Sequence, residues 1–261
     1  MMYLCPFLEV KYMASREEIF KHFSDSLQNT GERFHILDHR VPVEQQLEYF
    51  SYSYKLRRRK RGLKDSDYDK YMEKLASVAS PKEEKKKILS TLGASSEIRA
   101  YRLLEHYLQE ADEELVNWTT MALMESRIII ETELSGERQI YISTGLGGKA
   151  GKMRFYVLIP SVKMASFEAY QHEVIEKEFN WLFSKNDCEI ERLTIHKNYV
   201  ELVVLIPMST HIRQIMEIVV SECNIYGNFL SDTLTVTNVK ELTQDEVNEV
   251  LKIYKKSLRK R

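Results

Sequence analysis

Gln139-Ile-Tyr-Ile-Ser-Thr-Gly-Leu-Gly-Gly-Lys-Ala-Gly-Lys-Met-Arg-Phe-Tyr-Val-Leu-Ile-Pro160 is where the chain changes character. Two runs rich in β-branched and aromatic residues flank a loop that holds four of the nine glycines, a pattern that predicts strand, glycine-rich hairpin, strand. Before this stretch the apolar residues recur at helical spacing; after it, helical and alternating patterns take turns. The expected organisation is therefore α+β, with a helical domain over 1–134 and an α/β domain over 135–261. Lys149 and Lys152 in the loop, with Arg154 just beyond, bring positive charge beside backbone N–H groups, an arrangement suited to an anion.

In the first half, Ser15-Arg-Glu-Glu18 is a capping box that opens a helix through Ile19, Phe20, Phe23 and Leu27, and Gly31 stops it. Phe34 to Arg40 reads as a connector. Val43 to Arg61 is again helical, with Leu47, Phe50 and Tyr54 along one stripe and Tyr49 and Tyr52 widening it. It ends in Arg57-Arg58-Arg59-Lys60-Arg61, more positive charge than the negative end of a helix dipole requires. Further helices are expected over 65–78, from the Ser80-Pro81-Lys-Glu83 start to Gly93, over 97–109, and from Asp112 to about Glu133. The residues from Pro81 to Ile130, with the tight Ala111-Asp112 turn and the Trp118-Thr-Thr-Met-Ala-Leu123 segment, resemble HEAT-type helical repeats. That resemblance implies packing positions and leaves function to the exposed face.

After the glycine-rich stretch, Met153 to Ile159 predicts a strand and Phe167 to Phe183 a helix with Tyr170, Val174 and Trp181 inward. Strands over 190–195 and 199–206 are joined by a turn at Lys197-Asn198. A one-sided helix runs from Ile212 to Cys223, and Leu234, Val236 and Val239 mark a last strand. The order β-α-β-β-α-β is that of a ferredoxin-like unit. A final helix, capped by Thr243-Gln-Asp-Glu246, carries Val247, Val250, Leu251 and Tyr254 and ends in a basic tail.

Gly145-Leu-Gly147-Gly-Lys-Ala150 satisfies G-x-G-x-x-A after a strand, but a strand follows where dinucleotide binding needs a helix whose N-terminal N–H groups meet the pyrophosphate. Gly151-Lys152 is followed by Met153, so it is not a P-loop. No cofactor is expected. His35-Ile-Leu-Asp38-His39 is compact but lacks the helical context of a zinc motif. The α/β half resembles the small tyrosine transposases that process single-stranded DNA in its order of elements and in the strand Tyr199 to Pro207. Those enzymes carry a His-hydrophobe-His metal pair on such a strand; the matching positions here are Tyr199 and Glu201, so strand cleavage is not implied. The run Ile142 to Lys149 and the helices before it also resemble a bacterial family, without an established activity, that joins a HEAT-like domain to a ferredoxin-like one.

Composition narrows the function classes. A net charge of −1 over 261 residues argues against a generally basic DNA-coating surface and leaves room for local basic patches. Cys5, Cys188 and Cys223 are odd in number and widely spaced, so neither a disulfide framework nor a thiolate zinc site is indicated, and a reducing cytoplasm fits. The longest apolar run is far too short for a membrane span. No nucleophile motif or catalytic constellation is visible. The sequence reads first as a non-enzymatic interaction or scaffold protein with a protein partner. The alternative is RNA or single-stranded nucleic-acid binding through Arg57, Arg58, Arg59, Lys60, Arg61, Lys149, Lys152 and Arg154.

Overall fold

The computed structural model describes residues 33–57, 63–137 and 139–259, and these fall into two compact units, 33–142 and 143–259. The helix expected after Ser15 lies outside them. The fold is α+β, a helical region and a sheet region, with the division at Ile142/Ser143 inside the glycine-rich stretch.

The first unit contains strand β1 (Arg33–Ile36), helices α1 (Val43–Arg57), α2 (Asp65–Ala76), α3 (Lys82–Gly93), α4 (Ile98–Glu110) and α5 (Glu113–Ser135), and strand β2 (Gln139–Ile142). Tyr49, Leu89, Leu92, Leu104 and Met121 are its fully buried centre. The expected connector at Phe34 is β1, which pairs in parallel with β2, Arg33 opposite Gln139 and Ile36 opposite Ile142. Four residues are too few to show a period, and their partner lies more than a hundred residues away.

One sequence expectation fails on α1. Leu47 and Tyr54 are exposed, whereas Gln46, Tyr49 and Ser53 are buried. A buried carboxylate, Glu125 of α5, accepts hydrogen bonds from Tyr49 Oη at 2.5 Å and Ser53 Oγ at 2.7 Å. Leaving that carboxylate without donors would be costly, so polar pairing rather than apolar spacing sets the rotation of α1. Gly93, expected as a stop, is the last residue of α3 and lies where that helix meets α5. A Cβ there would stand 2.6 Å from Tyr49 Oη and 2.9 Å from Ala122 Cα.

The second unit contains β3 (Gly148–Lys149), β4 (Lys152–Pro160), a short 3-10 turn (Val162–Met164), α6 (Ala169–Lys185), β5 (Glu189–Ile195), β6 (Tyr199–Pro207), α7 (Ile212–Asn224), β7 (Thr235–Thr237) and α8 (Gln244–Leu258). Its strands pair antiparallel in the order β3-β4-β6-β5, and β7 pairs with β4. Tyr156 and Leu158 of β4 pack with Tyr199 and Val203 of β6 and with Val247 and Leu251 of α8. Phe155, Val157 and Ile159 point the other way. They too are buried, so the inward faces of α6 (Ile175, Phe179, Phe183) and α7 (Ile215, Met216, Val219) cover that side. The inward face of α6 differs from the expected one: Tyr170 and Trp181 are exposed, and the Lys185 ammonium lies 4.7 Å from the Trp181 ring centre. The expected cap of α8 is present, with Thr243 Oγ1 accepting from the Glu246 N–H.

The glycine-rich stretch is not one hairpin between two long strands. β2 is used up in pairing with β1, and the true hairpin is the two-residue turn Ala150-Gly151 between β3 and β4. Both turn residues have positive φ, 50° and 76°, as the turn that matches strand twist requires. Gly145 serves a different need: a Cβ there would overlap the Val239 backbone, and the adjacent Leu146 N–H donates to Asn238 O at 3.0 Å.

Candidate nucleic-acid interface

Strand alternation and register decide which side chains share a face. Lys152, Arg154 and Tyr156 of β4 lie opposite Pro207, Leu205 and Val203 of β6. Glu189 and Arg192 of β5 lie opposite Leu205 and Val203, and Lys149 of β3 opposite Lys152. Lys149, Lys152, Arg154 and Arg192 therefore stand on one face, the face on which α8 packs.

Each of these cations has an acidic partner. Lys149 Nζ lies 2.7 Å from Glu189 Oε1, and Lys152 Nζ 2.8 Å from Asp187 Oδ1. The Arg154 guanidinium is bidentate on Glu191, with Nη2 2.7 Å from Oε1, and its Nη1 donates to Leu146 O at 2.6 Å. Arg192 pairs with Glu241. The Arg154 pair depends on a β-bulge: the register slips between Ile190 and Arg192, and the extra residue, Glu191, turns toward the arginine. The side chains of Lys149, Lys152 and Arg154 are 56%, 20% and 9% exposed. That gradient separates a solvent-facing pair from a buried structural one. The hydrogen bond to Glu189 raises the Lys149 ammonium above its usual pKa.

Further along the same face, Glu201 of β6 accepts from Tyr156 Oη at 2.6 Å and lies 2.5 Å from His196 Nε2. The His196 ring stacks on Tyr199 at 4.2 Å, across the turn expected at Lys197-Asn198. Burial, and then the hydrogen bond to Glu201, pushes the Tyr156 phenol far above its usual pKa, so it stays a donor. Sequence reading paired Tyr199 with Glu201 but missed Tyr156 and His196. The signal was present as alternation: His196, Tyr199 and Glu201 share a face once the two-residue turn is placed.

Of the other candidate contacts, Arg57 closes α1, and Arg58, Arg59, Lys60 and Arg61 lie outside the described residues. Lys252, Lys255 and Lys256 are exposed on α8. His35 stacks on Tyr141 and lies 3.0 Å from Gln139 Oε1. Among the described residues no group of three His, Cys, Asp or Glu could hold a metal ion. Nor is any described helix long and apolar enough to cross a membrane.

No family model matches the chain, and no curated protein matches it. Among solved structures, the chain is similar to a candidate transposase from Deinococcus radiodurans R1, at 12% identity over 41% of this chain and 93% of that one, with a TM-score of 0.36. It is also similar to a REP-associated tyrosine transposase bound to a REP hairpin, at 10% identity over 42% of this chain and 68% of that one, with a TM-score of 0.31. These neighbours correct the first expectation from sequence. Both are named for transposition, one of them bound to a REP hairpin, and the expected non-enzymatic scaffold is not carried further.

Proposed function

We propose that the chain binds RNA or single-stranded DNA through the second unit, on the sheet face that carries Lys149, Lys152, Arg154 and Arg192. The observation that carries this reading is the register that aligns these four cations, drawn from three strands, on one face. The helix packed on that face, α8, carries the exposed Lys252, Lys255 and Lys256. The reading takes the second unit as a ferredoxin-like domain, supported by its β-α-β-β-α-β succession from β4 to β7 and by the place of β4 between β7 and β6. It takes the first unit as HEAT-like, supported by short turns between α3, α4 and α5.

Phosphate exchanges readily with a carboxylate at an exposed ion pair, because such pairs contribute little to stability. Binding then gains from counterions released by the strand. Arg154 acts through position: its grip on Glu191 and Leu146 O holds the start of β4, and with it the two lysines, in place. The test is fluorescence anisotropy of labelled 20-nucleotide RNA and DNA single strands across a salt series. The expected result is binding that weakens as salt rises, with the log–log slope about 1.4 shallower in Lys149→Gln/Lys152→Gln, at about 0.7 for each phosphate no longer neutralised. Binding insensitive to salt, or a double variant with unchanged affinity and slope, would refute the assignment.

A further inference from the structure

Both lysines of the proposed surface are engaged by carboxylates, Lys149 at a solvent-facing position and Lys152 at a half-buried one. Lys152 reaches over β6 to Asp187, at the corner before β5, and Lys149 reaches Glu189 at the start of that strand. Their carboxylates differ from that of Glu191. Asp187 and Glu189 side chains are 80% and 48% exposed, whereas Glu191 is 23% exposed and locked to a buried arginine. Both outer pairs are single contacts, whereas the inner one is bidentate and also ties down a backbone carbonyl. The first two pairs can open without disturbing the sheet; the third cannot.

Building on the proposed function, we infer that Asp187 and Glu189 are internal phosphate mimics: they occupy the cationic row in the free protein and must be displaced by the strand that binds. A carboxylate pairs with an ammonium through the same charge-assisted hydrogen bond that a phosphate oxygen would make. Unlike a solvent ion, it is tethered to the fold and present at high effective concentration. The acidic partners thus weaken binding by competition and by repelling the incoming phosphates. A weakly phosphorylated or generally acidic ligand gains too little to open the pairs, whereas a strand that presents successive phosphates can open both. The contact is therefore a threshold that favours polyanions over single anions.

The consequence is opposite to that of an ordinary charge network, since removing the acids should tighten binding. The variant Asp187→Asn/Glu189→Gln keeps shape and suits the backbone, because Asp187 lies in the left-handed region at φ 55°, which asparagine also tolerates. Glu173→Gln/Glu176→Gln changes the net charge equally at exposed positions of α6, a helix on the opposite side of the sheet. With oligouridine and oligothymidine 20-mers as probes, the first variant should bind about five-fold tighter than the native chain, the scale expected from freeing two surface pairs. The control variant should stay within about two-fold, the uniform effect of net charge. Circular dichroism and thermal midpoints confirm that all three proteins are folded. If the native chain binds and Asp187→Asn/Glu189→Gln is no tighter than the control, the mimicry is refuted and the proposed function stands. If none of the folded proteins binds either oligonucleotide, both are refuted.

Discussion

Replacing Gly93 by alanine is expected to destabilise the helical unit, against the usual rule for glycine in a helix. Alanine ordinarily gains up to about 1 kcal/mol over glycine at such a position. Here the new methyl would stand 2.6 Å from Tyr49 Oη and 2.9 Å from both Cα and O of Ala122. The Ala122 contacts are to backbone and cannot rotate aside, so α3 and α5 must part; overpacking of this kind costs about 1–3 kcal/mol. If Tyr49 moves instead, its 2.5 Å hydrogen bond to the buried Glu125 carboxylate is lost, and bonds to charged groups contribute about 1.5–3 kcal/mol. The net expectation is a loss of about 2 kcal/mol. Urea unfolding followed by Trp118 fluorescence measures it, because that buried ring packs edge-on to Tyr49 at 5.3 Å. Trp181→Phe removes the only other tryptophan at an exposed site. With a urea dependence of about 2 kcal/mol per molar, the midpoint should fall by about 1 M. In the Tyr49→Phe background the Gly93→Ala penalty should shrink, since one of the close approaches is gone. A Gly93→Ala protein as stable as its parent would refute the close-approach argument.

Arg154→Ala leaves Glu191 without its bidentate partner at a largely buried site. It should cost about 3 kcal/mol, read as a roughly hundred-fold loss of hydrogen-exchange protection across β4. Unchanged protection there would mean that the pair is not structural. Burial raises the Cys188 thiol to about 11 and the Cys223 thiol to about 12. Both should therefore resist alkylation at a pH of about 8 in the folded chain and react once it is unfolded, as peptide mass mapping would reveal. At the start of α8, the hydrogen bond from Lys240, then that from the Thr243 N–H, holds the Glu246 carboxyl below the usual range. Its folded pKa is depressed, so the stability it adds is present above the unfolded value of about 4.3 and is lost as pH falls through the folded one. Amide exchange at Val247 should accelerate selectively in that acidic window in the native chain but not in Glu246→Gln.

Much of the architecture was legible because local chemistry announces it. The Thr243-Gln-Asp-Glu246 cap, the Lys197-Asn198 turn and the Val219-Val220-Cys223 face of α7 each depend on residues within a few positions of one another. The failures share the opposite property. β1 needs β2 across more than a hundred residues, and α1 is rotated by Glu125 of α5. The inward face of α6 is missed because spacing alone drew Tyr170 and Trp181 into the core. In the candidate site, Lys149, Lys152 and Arg154 could be singled out by charge and by the glycines beside them. Their acidic partners could not, because Asp187, Glu189 and Glu191 lie on another strand or at its approach.

Amino-acid order alone sufficed for the order of most helices and of the long strands, the change from helical to mixed periodicity near residue 140, and the mismatch of the glycines to both nucleotide-binding fingerprints. Those conclusions rest on short-range periodicity, capping and turn chemistry, all of which are local. Three-dimensional pairing was needed to divide the glycine-rich stretch between two sheets and to set its three basic residues on one face. Pairing also grades them from a solvent-facing ion pair to a buried one. Strand register and a single bulged residue produce that gradation, and both arise only when segments distant in the chain are brought together.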